Sequence, residues 1–134
     1  MDSKGIKLSK LTKVRIDDLM GEFADSFDES SKDVRPFVVK LGLSTGIANS
    51  RGLYKEFPSG CASSDWEMGS IISGDDFMIF KHLIINEAGT SLSDSEIKKH
   101  MRMFIEHGIE SLYLIWENHH NSGDLEDFKI KILN

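Results

Sequence analysis

The sequence predicts a mainly α protein, one helical domain with short strands near its two ends and a strand-helix-helix unit at its N-terminus. Three observations carry this. Apolar residues recur at helical spacing in four separate segments. Clean alternation of apolar and polar residues is confined to residues 5–8 and 128–133. Polar, turn-prone tracts separate these segments, and 134 residues suffice for one domain with its own core. The expected organisation is a strand-helix-helix unit over 5–48, an irregular loop over 49–72, and a helical part over 73–134 ending in a short strand.

Residues 5–8 (Gly-Ile-Lys-Leu) read as a half-buried strand, for which the alternating Phe128, Ile130 and Ile132 segment is the most obvious pairing partner. Ser9 is a natural N-cap for a helix over about 10–24, because its hydroxyl can accept an otherwise unpartnered amide. Val14 or Ile16, then Leu19, Met20 and Phe23, form its apolar face, and Phe27 folds back as a staple. A second helix starts near Val34, with Pro36 in the first turn where its missing N–H costs nothing. Phe37, Val38, Leu41, Leu43 and Ile47 make it apolar on more than one side. Gly42 and Gly46 would let another helix approach closely.

The 49–72 loop should be pinned to the surface by Leu53, Tyr54, Phe57 and Trp66. A third helix over 73–89 is capped by Ser73 or Asp75 and ended by Gly89. Its inward residues are Phe77, Ile79 or Phe80, Leu83 and Ile84. The fourth helix carries the strongest signal, with Ser93 and Glu96 as a capping box. Ile97, Met101, Phe104 or Ile105, Leu112 and Ile115 or Trp116 continue one stripe, and Gly108 is placed to bend it.

The net charge is −6, but it is unevenly spread. Lys4, Lys7, Lys10, Lys13 and Arg15 against Asp2 give residues 1–15 a charge of +4, so the remainder carries −10. Seven acids follow directly in residues 17–33. A body of that sign repels nucleic acid at long range, so any contact with it must come from a local basic patch where counterion release wins. No apolar run is long enough to span a bilayer, and no signal-peptide core follows the first lysines. The single Cys61 forms no internal disulfide and fits a reducing compartment, with the cytoplasm as the expected location.

Catalytic patterns are missing. His100 and His107 share a helix face but stand about 10 Å apart along the axis, too far to bind one ion together. There is no H-E-x-x-H motif and no second cysteine near Cys61, so no metal or cofactor is expected. Cys61 sits in a Ser/Gly-rich loop as a surface thiol without a nearby base. Asp75 and Asp76 are explained as acids at a helix start. The chain is read as a non-enzyme. The remaining candidate is the basic strip, with Lys4, Lys7, Lys10, Lys13 and Arg15 as DNA-backbone contacts. Its bland reading is a solvated face in which Lys13 or Arg15 pairs with Asp17 or Asp18. "KKHMR", residues 98–102, is a second, equally ambiguous basic cluster.

The order of the opening unit, strand-helix-helix, is that of a ribbon-helix-helix module. More broadly, "IKLSK" leading into a helix, "RPFVVKLGLSTGI", "EMGSIISGDDFMIF" and "HMRMFIEHGIESL" together resemble the DndE family of small DNA sulfur-modification proteins, over about residues 5–115. That resemblance implies an accessory protein of DNA phosphorothioation, part of a restriction-modification-like defence. It implies a homotetramer that binds nicked duplex DNA through surface lysines and joins the other proteins of the modification complex. Cysteine-desulfurase and iron–sulfur partners would perform the sulfur chemistry. Only the N-terminal lysines carry over, as a group. The net charge, the acidic 17–33 segment and the 49–70 loop depart from the family pattern. The competing expectation is a protein–protein adaptor that binds no DNA. Either way a homo-oligomer, dimer or tetramer, is expected through helices 34–48 and 94–119, with Leu41, Gly42 and Gly46 at the interface.

Overall fold

Ser9 sits at the junction that starts the fold. It follows a two-residue strand, β1 (Lys7–Leu8), and caps α1 (Lys10–Phe23) by accepting the Thr12 amide on its hydroxyl at 3.1 Å. The structure, a computed structural model, describes residues 2–24 and 32–122. In order after α1 come α2 (Val34–Asn49), β2 (Trp66–Glu67), α3 (Gly74–Ala88) and α4 (Asp94–Ser122). The protein is mainly α, as its sequence predicts. The strand expected over 128–133 and the Phe27 staple lie outside the described residues.

The first correction concerns the 49–72 segment, which supplies a strand partner to β1. β1 pairs antiparallel with β2, Lys7 opposite Glu67 and Leu8 opposite Trp66. Met68 N–H donates to Ile6 O at 3.1 Å and Asp65 N–H to Leu8 O at 3.0 Å. Ser3 continues the seam: its amide donates to Ile72 O, and its hydroxyl donates to Gly69 O while accepting the Ile72 amide. The segment expected to be irregular thus supplies the strand's partner. Tyr54 anchors the earlier part of that segment, donating to Gly46 O at 3.2 Å and packing edge-on against Phe104.

α1 buries Thr12, Ile16, Leu19 and Phe23, so Ile16 rather than Val14 belongs to the core; Val14 is exposed. On α3 only Phe77 and Ile84 are buried. Leu83, expected inside, is exposed together with Met78 and Ile79, because the line from Phe77 through Phe80 to Ile84 is the face that meets the core. Gly89, at φ 71°, ends the helix in the left-handed conformation that a side chain disfavours. The α4 capping box forms in full: Ser93 N–H donates to Glu96 Oε1, and Glu96 N–H donates to Ser93 Oγ.

α2 and α4 form the main packing contact, while α1 and α3 cover the remaining sides of α2. A second correction follows. The several apolar sides of α2 are covered by α1, α3 and α4 of the same chain, so they call for no second copy. Gly42, Gly46 and Gly108 are buried where α2 crosses α4. A Cβ on Gly108 would overlap the Gly42 carbonyl oxygen, one on Gly46 would overlap the Phe104 carbonyl oxygen, and one on Gly42 would stand 2.5 Å from Ile109 Cδ1. Close approach is what these glycines permit, but the helix they admit is the chain's own. Gly42 and Gly46 are therefore unavailable as an oligomer interface, and Leu41 beside them is half-buried against the core. α4 continues through Gly108, which serves the crossing.

Candidate functional site

The tertiary fold divides the basic strip. Arg15 turns inward: its guanidinium lies 3.9 Å from Glu110 Oε2, 3.9 Å from Cys61 Sγ and 5.5 Å from the centre of the Tyr113 ring. Lys13 pairs with Asp17 at 3.0 Å, one turn along the helix. That is the pairing the bland reading anticipates for Lys13, while Arg15 is half-buried and turned toward α4. Lys4, Lys7 and Lys10 remain exposed and form no ion pair among the described residues. The Lys10 amide donates to Asp65, and that bond together with one from Ser63 holds the Asp65 carboxyl below its usual range, Ser63 contributing more.

The two basic clusters of the sequence meet. β1 runs past the first turns of α4, and a cavity of about 420 Å³ opens between them. Lys7 from the strand and Lys98, Lys99 and Arg102 from the helix line it, with the hydroxyl-bearing Ser64 and Ser95. Ile6 and Phe57 supply its apolar wall. Among the described residues, no carboxylate lines it. Lys98 is fixed by donating to the Lys4 carbonyl at 2.8 Å, which also brings Lys4 to its rim.

The nearest acids of this N-terminal turn are engaged with backbone. Asp2 accepts the Lys4 amide and the Ser70 hydroxyl, and the first of these does most to hold its carboxyl below the usual range. Glu67 Oε1 accepts the Gly5 and Gly69 amides at 3.0 and 2.8 Å.

Behind the cavity lies a polar network that sequence reading missed. Glu106 is fully buried. Its carboxylate accepts the Ser9 amide (2.8 Å), the Ser9 hydroxyl (2.9 Å) and the Thr12 hydroxyl, and Arg102 Nε lies 3.6 Å away. A carboxylate is tolerated in a core only with this kind of compensation. Arg102 is braced further by Ser64 Oγ, the Cys61 and Ser63 carbonyls, and the Phe57 ring 4.2 Å below. The available signal was Glu106 itself, an acid directly after the buried run Met103, Phe104, Ile105 and one turn from Arg102.

Cys61 is corrected too. It is fully buried, 3.6 Å from Thr12 Oγ1, because its loop folds back over α1 and α4. His107 stacks on Tyr54 with ring centres 3.8 Å apart and meets the Glu56 carbonyl through Nε2. Among the described residues, no three potential metal ligands converge, and no helix is long and apolar enough to cross a membrane. No protein-family model, no curated protein and no solved structure matches this chain.

Proposed function

We propose that this protein is a non-catalytic accessory factor of DNA phosphorothioate modification that contacts the duplex backbone and the proteins of the modification complex. The observation that supports this is the convergence of Lys7 with Lys98 and Lys99 around one cavity that has no carboxylate among its lining residues, from segments more than ninety residues apart, with the Lys4 carbonyl bonded to Lys98 beside it. Phosphate is the ligand such a patch suits. The acidic remainder of the surface keeps affinity modest and leaves other faces to basic protein partners. The resemblance of the helical segments to the DndE family supplies the modification pathway.

The test is fluorescence anisotropy with intact and nicked duplex over a salt series. Each phosphate neutralised should contribute about 0.9 to the fall of log affinity with log salt. The charge-reversing pair Lys4→Glu and Lys7→Glu should flatten that slope with an unchanged circular dichroism spectrum. No salt-dependent binding at about 50 mM salt overturns the DNA reading.

A second reading, a protein adaptor without DNA binding, is favoured by one feature. The outer face of α3 exposes Met78, Ile79 and Leu83 together, with Ile79 at 57%. Apolar faces of this kind mark contact surfaces when they are contiguous. Full complex assembly by the Lys4/Lys7 variant, with duplex binding lost and no effect in cells, would select the adaptor.

A further inference from the structure

We propose that the cavity between β1 and α4 is a binding site for a free phosphomonoester of nucleoside-monophosphate size. This goes beyond backbone contact with a duplex and does not depend on it. The feature is an open depression that a small ligand can enter. Its volume of about 420 Å³ falls within the range of small-molecule sites, roughly 300–1,000 Å³, and exceeds what a bare phosphate fills.

The donors are unevenly committed, and that selects the ligand. Lys7 and Lys99 make no ion pair among the described residues. Lys98 uses one N–H on the Lys4 carbonyl and keeps two. Arg102 is largely satisfied: Glu106 faces its Nε, both Nη2 hydrogens go to carbonyls, and one Nη1 hydrogen goes to Ser64. One Nη1 hydrogen remains. Ser64 accepts from Arg102, so its own O–H is left to donate outward.

Lys7, Lys98, Lys99 and Arg102 around a space with no carboxylate among its lining residues, with Ser64 and Ser95 beside them, match a dianion better than a monoanion. The first turn of α4, where Ser95 sits, adds the positive end of the helix dipole. Ile6 and Phe57 then provide an apolar wall for the body that carries the phosphate. Asp2, whose carboxylate is close enough to act on Lys98, and Glu67 hold the backbone turn beside the cavity and offset part of this positive charge.

The experiment is isothermal titration of the full chain with AMP, adenosine and inorganic phosphate at fixed ionic strength. AMP should bind one site per chain and more tightly than either fragment, by about tenfold or more. Ser95→Trp fills the cavity from an exposed first-turn position without changing charge. It should weaken AMP by at least about tenfold while leaving the melting temperature and the duplex salt slope intact. Lys99→Ala, also exposed, should weaken AMP several-fold and serves if the tryptophan variant misfolds. AMP binding no tighter than adenosine, or unchanged in both variants, overturns the proposal. Duplex binding with no AMP binding also overturns it and leaves the DNA reading standing. AMP binding without duplex binding does the reverse.

Discussion

Glu106 Oε1 accepts the backbone N–H of Ser9 at 2.8 Å, joining two residues 97 apart in sequence. Through this bond, and those to the Ser9 and Thr12 hydroxyls, a buried carboxylate on α4 fixes the start of α1 and the end of β1. Lys7 stands on that strand, and Arg102 is oriented by the same carboxylate. The cavity walls are therefore positioned from behind.

Removing Glu106 should be costly. Glu106→Ala leaves three donors without their acceptor and removes the carboxylate that faces Arg102, and should lower stability by about 3–5 kcal/mol. Glu106→Gln keeps the shape and part of the bonding, and should cost about 1–3 kcal/mol. Urea unfolding checks this through the midpoint at unchanged slope. A loss below about 1 kcal/mol for the alanine variant would mean that the network contributes little.

The glycine crossing gives opposite outcomes for one chemical change. Gly108→Ala forces the α2–α4 contact apart and should destabilise by about 1–3 kcal/mol despite better helix propensity. Gly21→Ala, in open space on α1, should stabilise by about 0.5–1 kcal/mol. Thermal melts of the two variants should shift in opposite directions. A stabilised Gly108→Ala would contradict the close crossing.

Stability should decline on mild acidification. Burial, assisted by the adjacent Lys99 charge, depresses the His100 pKa below its ordinary 6.5. The unfolded chain then binds the proton first, so stability falls as pH drops below about 6.5 toward the folded value. The Glu96 carboxyl is also depressed, chiefly by the Ser93 amide and then by the Ser93 hydroxyl, and its contribution disappears at lower pH as it is protonated. His100→Gln should remove the first decline and leave the second. Melting curves from pH 7.5 to 4 read both.

Cys61 should be inert in the native state. Its sulfur is fully buried between Thr12 and the Arg15 guanidinium, so iodoacetamide should modify it only as fast as the loop opens. Mass spectrometry should show slow alkylation in buffer and rapid alkylation in urea. Fast native alkylation would place the thiol at the surface.

Much of the helical framework is decided by neighbours in the chain. Ser9, the Ser93–Glu96 box and Gly89 mark helix ends because a cap or a left-handed turn needs only residues a few positions away. The basic strip is likewise a property of composition. Tertiary structure decided the rest. Val14 and Ile16, or Ile79 and Phe80, satisfy the same periodicity, and only the packed neighbour chooses between them. Gly42 and Gly46 announce a close approach without saying to which helix. The partner of β1, the burial of Cys61 and Glu106, and the meeting of Lys7 with Lys98 and Lys99 depend on segments up to 97 residues apart. Periodicity and capping are local and have no term for such contacts, which exist only once α4 has crossed α2 and the N-terminal strand has closed against it.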